Sequence, residues 1–226
     1  MVKVTTDNKI YIKILYWGRA GSGKTTILNT LYKLTKEEQK EITPISEITK
    51  IDRTSGATLY FDRCVFQSKE QKQVLYHIYT VAGQKPFSVL RKKLFDGTDG
   101  IIFVVDSQTQ LFEDNLESLK ELKNIAGNKL INQIPVIFML NKHDLEDVIS
   151  VEELIPILKE EKLWYEPDHQ LSAWNPLIYE TCALYHMRKD IFRSFYECAR
   201  RVALFHIYGQ KGAPSEQKDS KLPIFG

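Results

Sequence analysis

The chain has 226 residues, 43% of them apolar, which suffices for one sizeable core and does not demand a second domain. Its formal net charge of +2 is too small to indicate a nucleic-acid-binding or anionic-membrane surface. Its three cysteines lie far apart without a C-x-x-C pair, so the sequence predicts neither a disulfide framework nor a zinc site, and we expect a cytoplasmic protein.

Targeting signals are not expected. No apolar run approaches the ~20 residues of a membrane span, and the polar N-terminus is unlike a secretory signal. Val2 excludes N-myristoylation, and the C-terminus lacks a prenylatable cysteine. We therefore predict a protein without an encoded lipid anchor.

The apolar pattern alternates between the periods of strands and helices. In chain order it predicts a strand at 9–17, a helix at 24–34, strands at 58–67 and 73–80, a short helix through 91–93 and a strand at 101–105. It then predicts a helix at 111–126, a strand at 134–140, a helix at 151–160 that Pro156 should kink or shorten, a strand at 177–181 and a helix at 188–207. The polar stretch 35–57 is predicted to be a connection. This order indicates an α/β fold with a mostly parallel six-stranded sheet, one antiparallel edge hairpin and helices on both faces. We expect one domain at 1–208 and a flexible tail at 209–226.

A phosphate-binding loop is predicted between the first strand and the first helix. Residues 18–25 read GRAGSGKT and match G-x-x-x-x-G-K-[ST], in which glycines let backbone N–H groups surround a phosphate. Lys24 would reach the β- and γ-phosphates, and Thr25 would place its hydroxyl on Mg²⁺. The predicted phosphate-binding residues here are Gly18, Ala20, Gly21, Ser22, Gly23, Lys24, Thr25 and Thr26.

A second motif follows the strand predicted at 134–140. Residues 141–144 read NKHD, and in an N-K-x-D arrangement the aspartate accepts hydrogen bonds from the guanine N1–H and exocyclic amine. Asn141 would brace the loop and Lys142 would lay its stem along the ring. The spacing from the phosphate loop favours guanine over adenine, and Asp144 is the residue that decides it.

With residues 180–184, which read ETCAL, the chain resembles the Ras superfamily of small GTPases over about residues 9–207. The resemblance implies a three-layer P-loop NTPase fold of the Ras-like G-domain type. It also implies that the Ala183 N–H binds the guanine oxygen, that Cys182 packs beneath it and that Leu184 completes the loop. Residues 101–107 are similar to the Arf branch, whereas 79–84 and 52–54 are more similar to the prokaryotic MglA-type gliding-motility GTPases, which we favour.

The resemblance also assigns the switch residues. Gly83 would donate to the γ-phosphate and Gln84 would orient the attacking water. Thr58 is our choice for the threonine that closes over Mg²⁺, with Thr54 second, and Arg53 would act as an internal arginine finger. Thr80 stands where most small GTPases have the aspartate of D-x-x-G that orients water on Mg²⁺; the MglA type carries the same threonine.

The family likeness implies a switch that binds GTP and GDP with Mg²⁺ and hydrolyses GTP slowly without an activator. A Roadblock-type activating protein and an effector would bind at 42–60, the hairpin and 82–95, and we expect a monomer or a weak dimer. A pseudo-GTPase scaffold is the alternative, because Thr80 lacks the carboxylate. An ATP-using enzyme is a third possibility, with Asp106 as a Walker B carboxylate, although we expect Asp106 to cap the next turn.

Two further clusters are predicted to be structural. Residues 91–93, Arg-Lys-Lys, should form a solvated helix face. Trp164 and Trp174 should belong to a satellite core; if both were exposed, they would indicate an interaction site.

Overall fold

The structure is a computed structural model, and it describes residues 2–38, 40–51, 61–82 and 88–209. Five α-helices lie in this part of the chain: α1 (Lys24–Glu37), α2 (Ser88–Phe95), α3 (Phe112–Ala126), α4 (Val151–Glu160) and α5 (Ile191–Tyr208). In the described ranges, no helix is long and apolar enough to cross a membrane. The helix α4 has the bounds that the sequence predicts and runs through Pro156, so the expected shortening at this proline does not occur.

One nine-stranded sheet forms the centre of the fold. Its strands are β1 (Lys3–Val4), β2 (Ile10–Trp17), β3 (Ile42–Pro44), β4 (Thr49–Ile51), β5 (Phe61–Ser68), β6 (Val74–Thr80), β7 (Gly100–Asp106), β8 (Val136–Asn141) and β9 (Leu177–Thr181). The order is β3-β5-β6-β2-β7-β8-β9, with β1 beside β2 and β4 beside β5. Pairing is parallel from β6 through β2, β7 and β8 to β9, and antiparallel elsewhere.

The predicted fold class is confirmed, with two differences. The six predicted strands are β2, β5, β6, β7, β8 and β9, and the sheet adds the short β1, β3 and β4. The hairpin β5–β6 is therefore not the outermost part of the sheet, because β3 and β4 pair with β5 on its outer side. Each of these two strands has only three residues, which is too short for an alternating pattern to be recognised.

Both faces of the sheet are covered, as the apolar runs predict. On β2, Ile12, Ile14 and Tyr16 face a core that includes α1 and α5, whereas Leu15 and Trp17 face a core that includes α3 and α4. The whole of β7 is buried in the same alternating manner. A central parallel sheet between two helical layers leaves its loops at the carboxyl ends of the strands as the natural ligand site.

The aromatic segment after α4 belongs to the second of these cores. Trp174 is fully buried and packs edge-to-face on Phe205 of α5, with ring centroids 4.9 Å apart. Trp164 is partly buried against the same core. The prediction that these tryptophans are structural is therefore confirmed, but they belong to a main core of the sheet and not to a satellite. The exposed tryptophan pair that would have indicated an interaction site is not formed.

Candidate nucleotide-binding site

The phosphate loop connects β2 to α1 and has the conformation that its glycines permit. Gly18, Gly21 and Gly23 have φ angles of 145°, 79° and 99°, which residues with a side chain rarely adopt. A Cβ on Gly18 would lie 2.2 Å from the Val104 carbonyl oxygen, so the loop also passes too close to β7 for any other residue. Gly23 is the N-cap of α1 and no side chain caps it, which leaves the first N–H groups of this helix open to an anion.

Lys24 is held inside the loop by its carbonyl groups. Its ammonium donates to the Gly18 oxygen (2.8 Å), the Arg19 oxygen (2.6 Å) and the Ser22 hydroxyl (3.4 Å). Burial lowers the pKa of Lys24 to about 7, and the positive charges of Arg19 and Arg91 add to this effect. A buried cation with like charges nearby is stabilised by a bound polyanion, so the loop is electrostatically arranged for phosphate.

Thr25 lies at the exposed end of the loop and contacts an aspartate that the sequence analysis gave no role. Its hydroxyl donates to Oδ2 of Asp62, at the start of β5, over 2.6 Å. The same oxygen accepts from the Thr80 hydroxyl (2.9 Å), at the end of β6. Hydroxyl and carboxylate oxygens suit Mg²⁺, a hard cation, so this donor set fits the metal that the sequence resemblance implies.

The N-K-x-D loop follows β8 and reaches the phosphate loop directly. Asn141 is buried, and its amide Nδ2 donates to the Ser22 carbonyl oxygen over 2.8 Å. Its Oδ1 accepts from the Thr181 hydroxyl at the end of β9 over 3.4 Å. One amide side chain therefore joins the phosphate loop, the N-K-x-D loop and the strand that precedes residues 182–184.

Residues 182–184 complete this end of the site. Cys182 and Ala183 are buried and Leu184 is exposed, while the Thr30 hydroxyl of α1 donates to the Ala183 carbonyl oxygen (2.6 Å). Burial and a hydrogen bond to Asp144 raise the pKa of the Cys182 thiol, so this cysteine packs as a neutral group. Asp144 itself is exposed, and its carboxylate contacts the Cys182 thiol.

Asp106 has a larger role than the expected turn cap. Its Oδ1 does accept from the Gln108 side chain (2.9 Å), but its Oδ2 accepts from Lys142 (2.7 Å) and Arg19 (3.3 Å). The carboxylate is fully buried, so it links a cation of the phosphate loop to a cation of the N-K-x-D loop. This was missed because neither cation has a fixed spacing from Asp106 in the sequence.

Replacing Asp106 with asparagine should therefore lower the free energy of unfolding by about 2 kcal/mol, since two cations would lose their shared anion while remaining partly hydrated. Asp114 offers a matched control, because it also pairs with Arg19 (3.0 Å) but is 54% exposed. Asp114→Asn should cost less than about 1 kcal/mol. Urea unfolding measures both, and equal losses would contradict this account.

Arg91 corrects a prediction about the short helix. It is buried, with Nη1 donating to the Ala82 oxygen (2.9 Å) and Nε donating to Glu121 of α3 (2.9 Å), and only Lys92 and Lys93 form the expected solvated face. Arg91 thus fixes the chain immediately before Gly83. The predicted Arg53, Thr54, Thr58, Gly83 and Gln84 lie outside the described residues.

Comparison with known proteins agrees with this geometry. The family model of the ADP-ribosylation factor (Arf) family matches residues 1–190. The mutual gliding-motility protein MglA of Myxococcus xanthus (strain DK1622) is 36% identical over 172 residues, which are 74% of this chain and 84% of that protein. The human ADP-ribosylation factor-like protein 4A is 30% identical over 148 residues, covering 64% of each chain.

A solved structure supports the fold independently. The small GTPase Arl6 (BBS3) from Trypanosoma brucei, with the bound nucleotide analogue GppNp, aligns with a TM-score of 0.58 and 21% identity, over 85% of this chain and 97% of that one. At this identity the likeness shows the fold alone, whereas the family match and the MglA relative carry the assignment. The chain belongs to the ADP-ribosylation factor family, and it is a Ras-superfamily small GTPase of the MglA-like and Arf-like type.

Proposed function

We propose that this chain is a guanine-nucleotide switch that binds GTP and GDP with Mg²⁺ and hydrolyses GTP to GDP. The observation that carries the proposal is the hydrogen bond from Asn141 to the Ser22 carbonyl oxygen, which brings the phosphate loop and the N-K-x-D loop into one site. With Asp144 exposed at one end and the uncapped start of α1 at the other, a guanine and a polyphosphate can bind together.

Each part of the site has a distinct task in this proposal. Asp144 selects guanine, the Ala183 N–H binds the guanine oxygen, and the stem of Lys142 lies along the ring while its ammonium stays on Asp106. The loop N–H groups and Lys24 hold the phosphates. Thr25 would hold Mg²⁺, which would neutralise charge on the phosphate oxygens.

The switch residues are carried over from the family resemblance. Gly83 would bind the γ-phosphate, Gln84 would orient the attacking water, Arg53 would stabilise the transition state, and Thr58, or Thr54, would close over the metal. Such loops are ordered by the triphosphate and released after hydrolysis, which is why hydrolysis can act as a signal. We therefore propose that an effector and a Roadblock-type activating protein bind near 42–60, β5–β6 and 82–95, without which hydrolysis is slow.

We further propose a cytoplasmic protein, monomeric or weakly dimeric, with a single domain over 1–208. The support for the single domain is the one sheet that the described residues share, with both cores packed on it. The proposed tail at 209–226 lies, apart from Gly209, outside the described residues.

Nucleotide extraction tests the function most directly. Protein purified without added nucleotide should release GDP or GTP, identified by chromatography, and should release phosphate from GTP but not from ATP when Mg²⁺ is present. Bound adenine nucleotide, or faster phosphate release from ATP, would refute the guanine assignment. Tight GTP binding with no phosphate release, even with an activating protein, would leave a nucleotide-bound scaffold as the function.

A further inference from the structure

The end of β6 carries a hydroxyl at the position where most small GTPases place a carboxylate beside Mg²⁺. Thr80 is buried, and its hydroxyl is engaged on the neighbouring strand. It donates to Oδ2 of Asp62 (2.9 Å) and accepts from the Asp62 backbone N–H (3.1 Å). The Thr80 hydroxyl therefore makes both of its hydrogen bonds to one residue of β5.

Asp62 reaches this place because β5 runs antiparallel to β6. In the register that pairs Arg63 with Tyr79, Asp62 faces Thr80, so the beginning of β5 lies beside the end of β6. This brings the Asp62 carboxylate to the same edge of the sheet as the phosphate loop, where Oδ2 also accepts from the Thr25 hydroxyl (2.6 Å). The Asp62 carboxylate thus contacts the proposed metal-binding hydroxyl of Thr25, although Thr80 has no carboxylate.

The Asp62 carboxylate is buried without a direct ion pair to any described residue. The residue is only 7% exposed, and Oδ2 receives two neutral hydroxyls. Among the described residues, no cation lies within ion-pair distance of it, although its charge acts on the buried Lys24 ammonium and partly offsets the lowering of that pKa. No described group donates a hydrogen bond to its Oδ1. A buried carboxylate is costly without a counter-charge, and a divalent cation next to Thr25 would supply one.

The pair also explains why position 80 is a threonine. A carboxylate at 80 would face the Asp62 carboxylate across the strand pair, and two like charges so close cannot both remain ionised without cost. A hydroxyl at 80 instead donates a hydrogen bond that holds Asp62 in place. A hydroxyl at position 80 of β6 is therefore compatible with a carboxylate at position 62 of β5, whereas two carboxylates at these positions would repel each other.

We propose that Asp62 is the positioning residue for Mg²⁺: its Oδ2 holds the Thr25 hydroxyl, and the carboxylate would accept a hydrogen bond from water bound to the metal, the task that the D-x-x-G aspartate has in other small GTPases. This inference rests on the proposed function, since it requires Mg²⁺ to bind together with a guanine nucleotide. In this proposal the Thr80 hydroxyl holds the Asp62 carboxylate in place through a hydrogen bond, so a threonine at position 80 does not indicate an inactive site.

The test measures metal affinity and does not depend on hydrolysis. Dissociation of fluorescently labelled GDP is followed while Mg²⁺ is titrated, and the midpoint is the Mg²⁺ concentration at which the slowing of dissociation is half complete. Because a residue that orients a metal ligand contributes 10–100-fold to metal affinity, Asp62→Asn should raise this midpoint by about 10–100-fold. Asp114→Asn, which removes an exposed carboxylate that pairs with Arg19 of the phosphate loop, should leave the midpoint unchanged.

A swap variant separates the metal role from a purely structural one. Combining Asp62→Asn with Thr80→Asp moves the carboxylate to the opposite strand, and this variant should return the midpoint towards the wild-type value. Thr80→Val keeps Asp62 but removes the hydrogen bond that the Thr80 hydroxyl donates to it, so it should raise the midpoint less than Asp62→Asn does. If Asp62→Asn does not fold, the midpoints of the swap variant and of Thr80→Val decide the matter.

An Asp62→Asn midpoint equal to that of the wild type would overturn the assignment. A folded swap variant in which Mg²⁺ does not slow GDP dissociation would also overturn it. If neither Asp62 variant folds, an unchanged midpoint in Thr80→Val would overturn it. The wild type is the separate control for the proposed function: if its GDP dissociation does not respond to Mg²⁺, the proposed function fails, whatever Asp62 does.

Discussion

Replacing Asp144 with asparagine should weaken GDP and GTP binding by about 100-fold or more, because the two proposed charge-assisted hydrogen bonds to the guanine N1–H and amine, each worth roughly 1.5–3 kcal/mol, would be lost. An asparagine amide would instead place a donor against N1–H. The loop itself should survive, since His143 and Leu145 hold it through backbone bonds to the Thr181 oxygen (3.1 Å) and the Lys142 oxygen (3.1 Å).

The same substitution should raise the affinity for xanthosine diphosphate relative to GDP. Xanthine carries a carbonyl oxygen where guanine carries its amine, so an amide donor at position 144 finds an acceptor there. Competition of GDP, xanthosine diphosphate and ADP against a fluorescent nucleotide measures this change directly.

Asp147 provides the matched control for Asp144. It is an exposed aspartate three residues further along the same loop, and its φ of 50° is one that asparagine tolerates well. Asp147→Asn should leave both affinities unchanged. Equal losses in the two variants, or no relative gain for xanthosine diphosphate in Asp144→Asn, would show that Asp144 does not read the base.

The fold was predictable from the sequence wherever its signal is local. The runs that became β7 and β8 are continuously apolar because both of their faces are covered, and helix spacing identified α1, α3 and α5 within a few residues. The short β3 and β4 exist only as partners of β5. Since a three-residue strand is stabilised by its neighbour rather than by its own pattern, the sequence around it carries too little information.

The candidate site was also predictable only where its signal is local. The phosphate loop and the N-K-x-D loop are contiguous motifs, and the structure brings them together through Asn141 and Ser22. By contrast, Asp62 is 37 residues from Thr25 and Asp106 is 36 residues from Lys142. These contacts depend on which strands are neighbours and in which register they pair, so a motif search along the chain does not find them.

The contact between the two loops should be measurable as an energetic coupling. Gly23 has a φ of 99°, and a Cβ built on it would lie 2.3 Å from Nδ2 of Asn141, the atom that donates to Ser22. Gly23→Ala should therefore displace the Asn141 amide as well as strain the backbone. We expect Gly23→Ala and Asn141→Ala each to weaken GDP binding by at least about tenfold, since each leaves the Ser22 carbonyl unpaired and the loops less well fixed.

The Gly23→Ala/Asn141→Ala double variant distinguishes loss of the hydrogen bond from Asn141 to Ser22 from an unspecific loss of stability. Once Asn141 is an alanine, the Cβ at position 23 has lost the atom it would collide with, so the combined loss of binding free energy should fall short of the sum by about 1–2 kcal/mol.

Gly97→Ala controls for backbone strain, because its φ is 69° and nothing lies within 4 Å of the added Cβ. It should lower the free energy of unfolding by about 1 kcal/mol without changing GDP affinity. Strictly additive losses at 23 and 141 would mean that the two loops act independently, and the hydrogen bond from Asn141 to Ser22 would then no longer support a single nucleotide site.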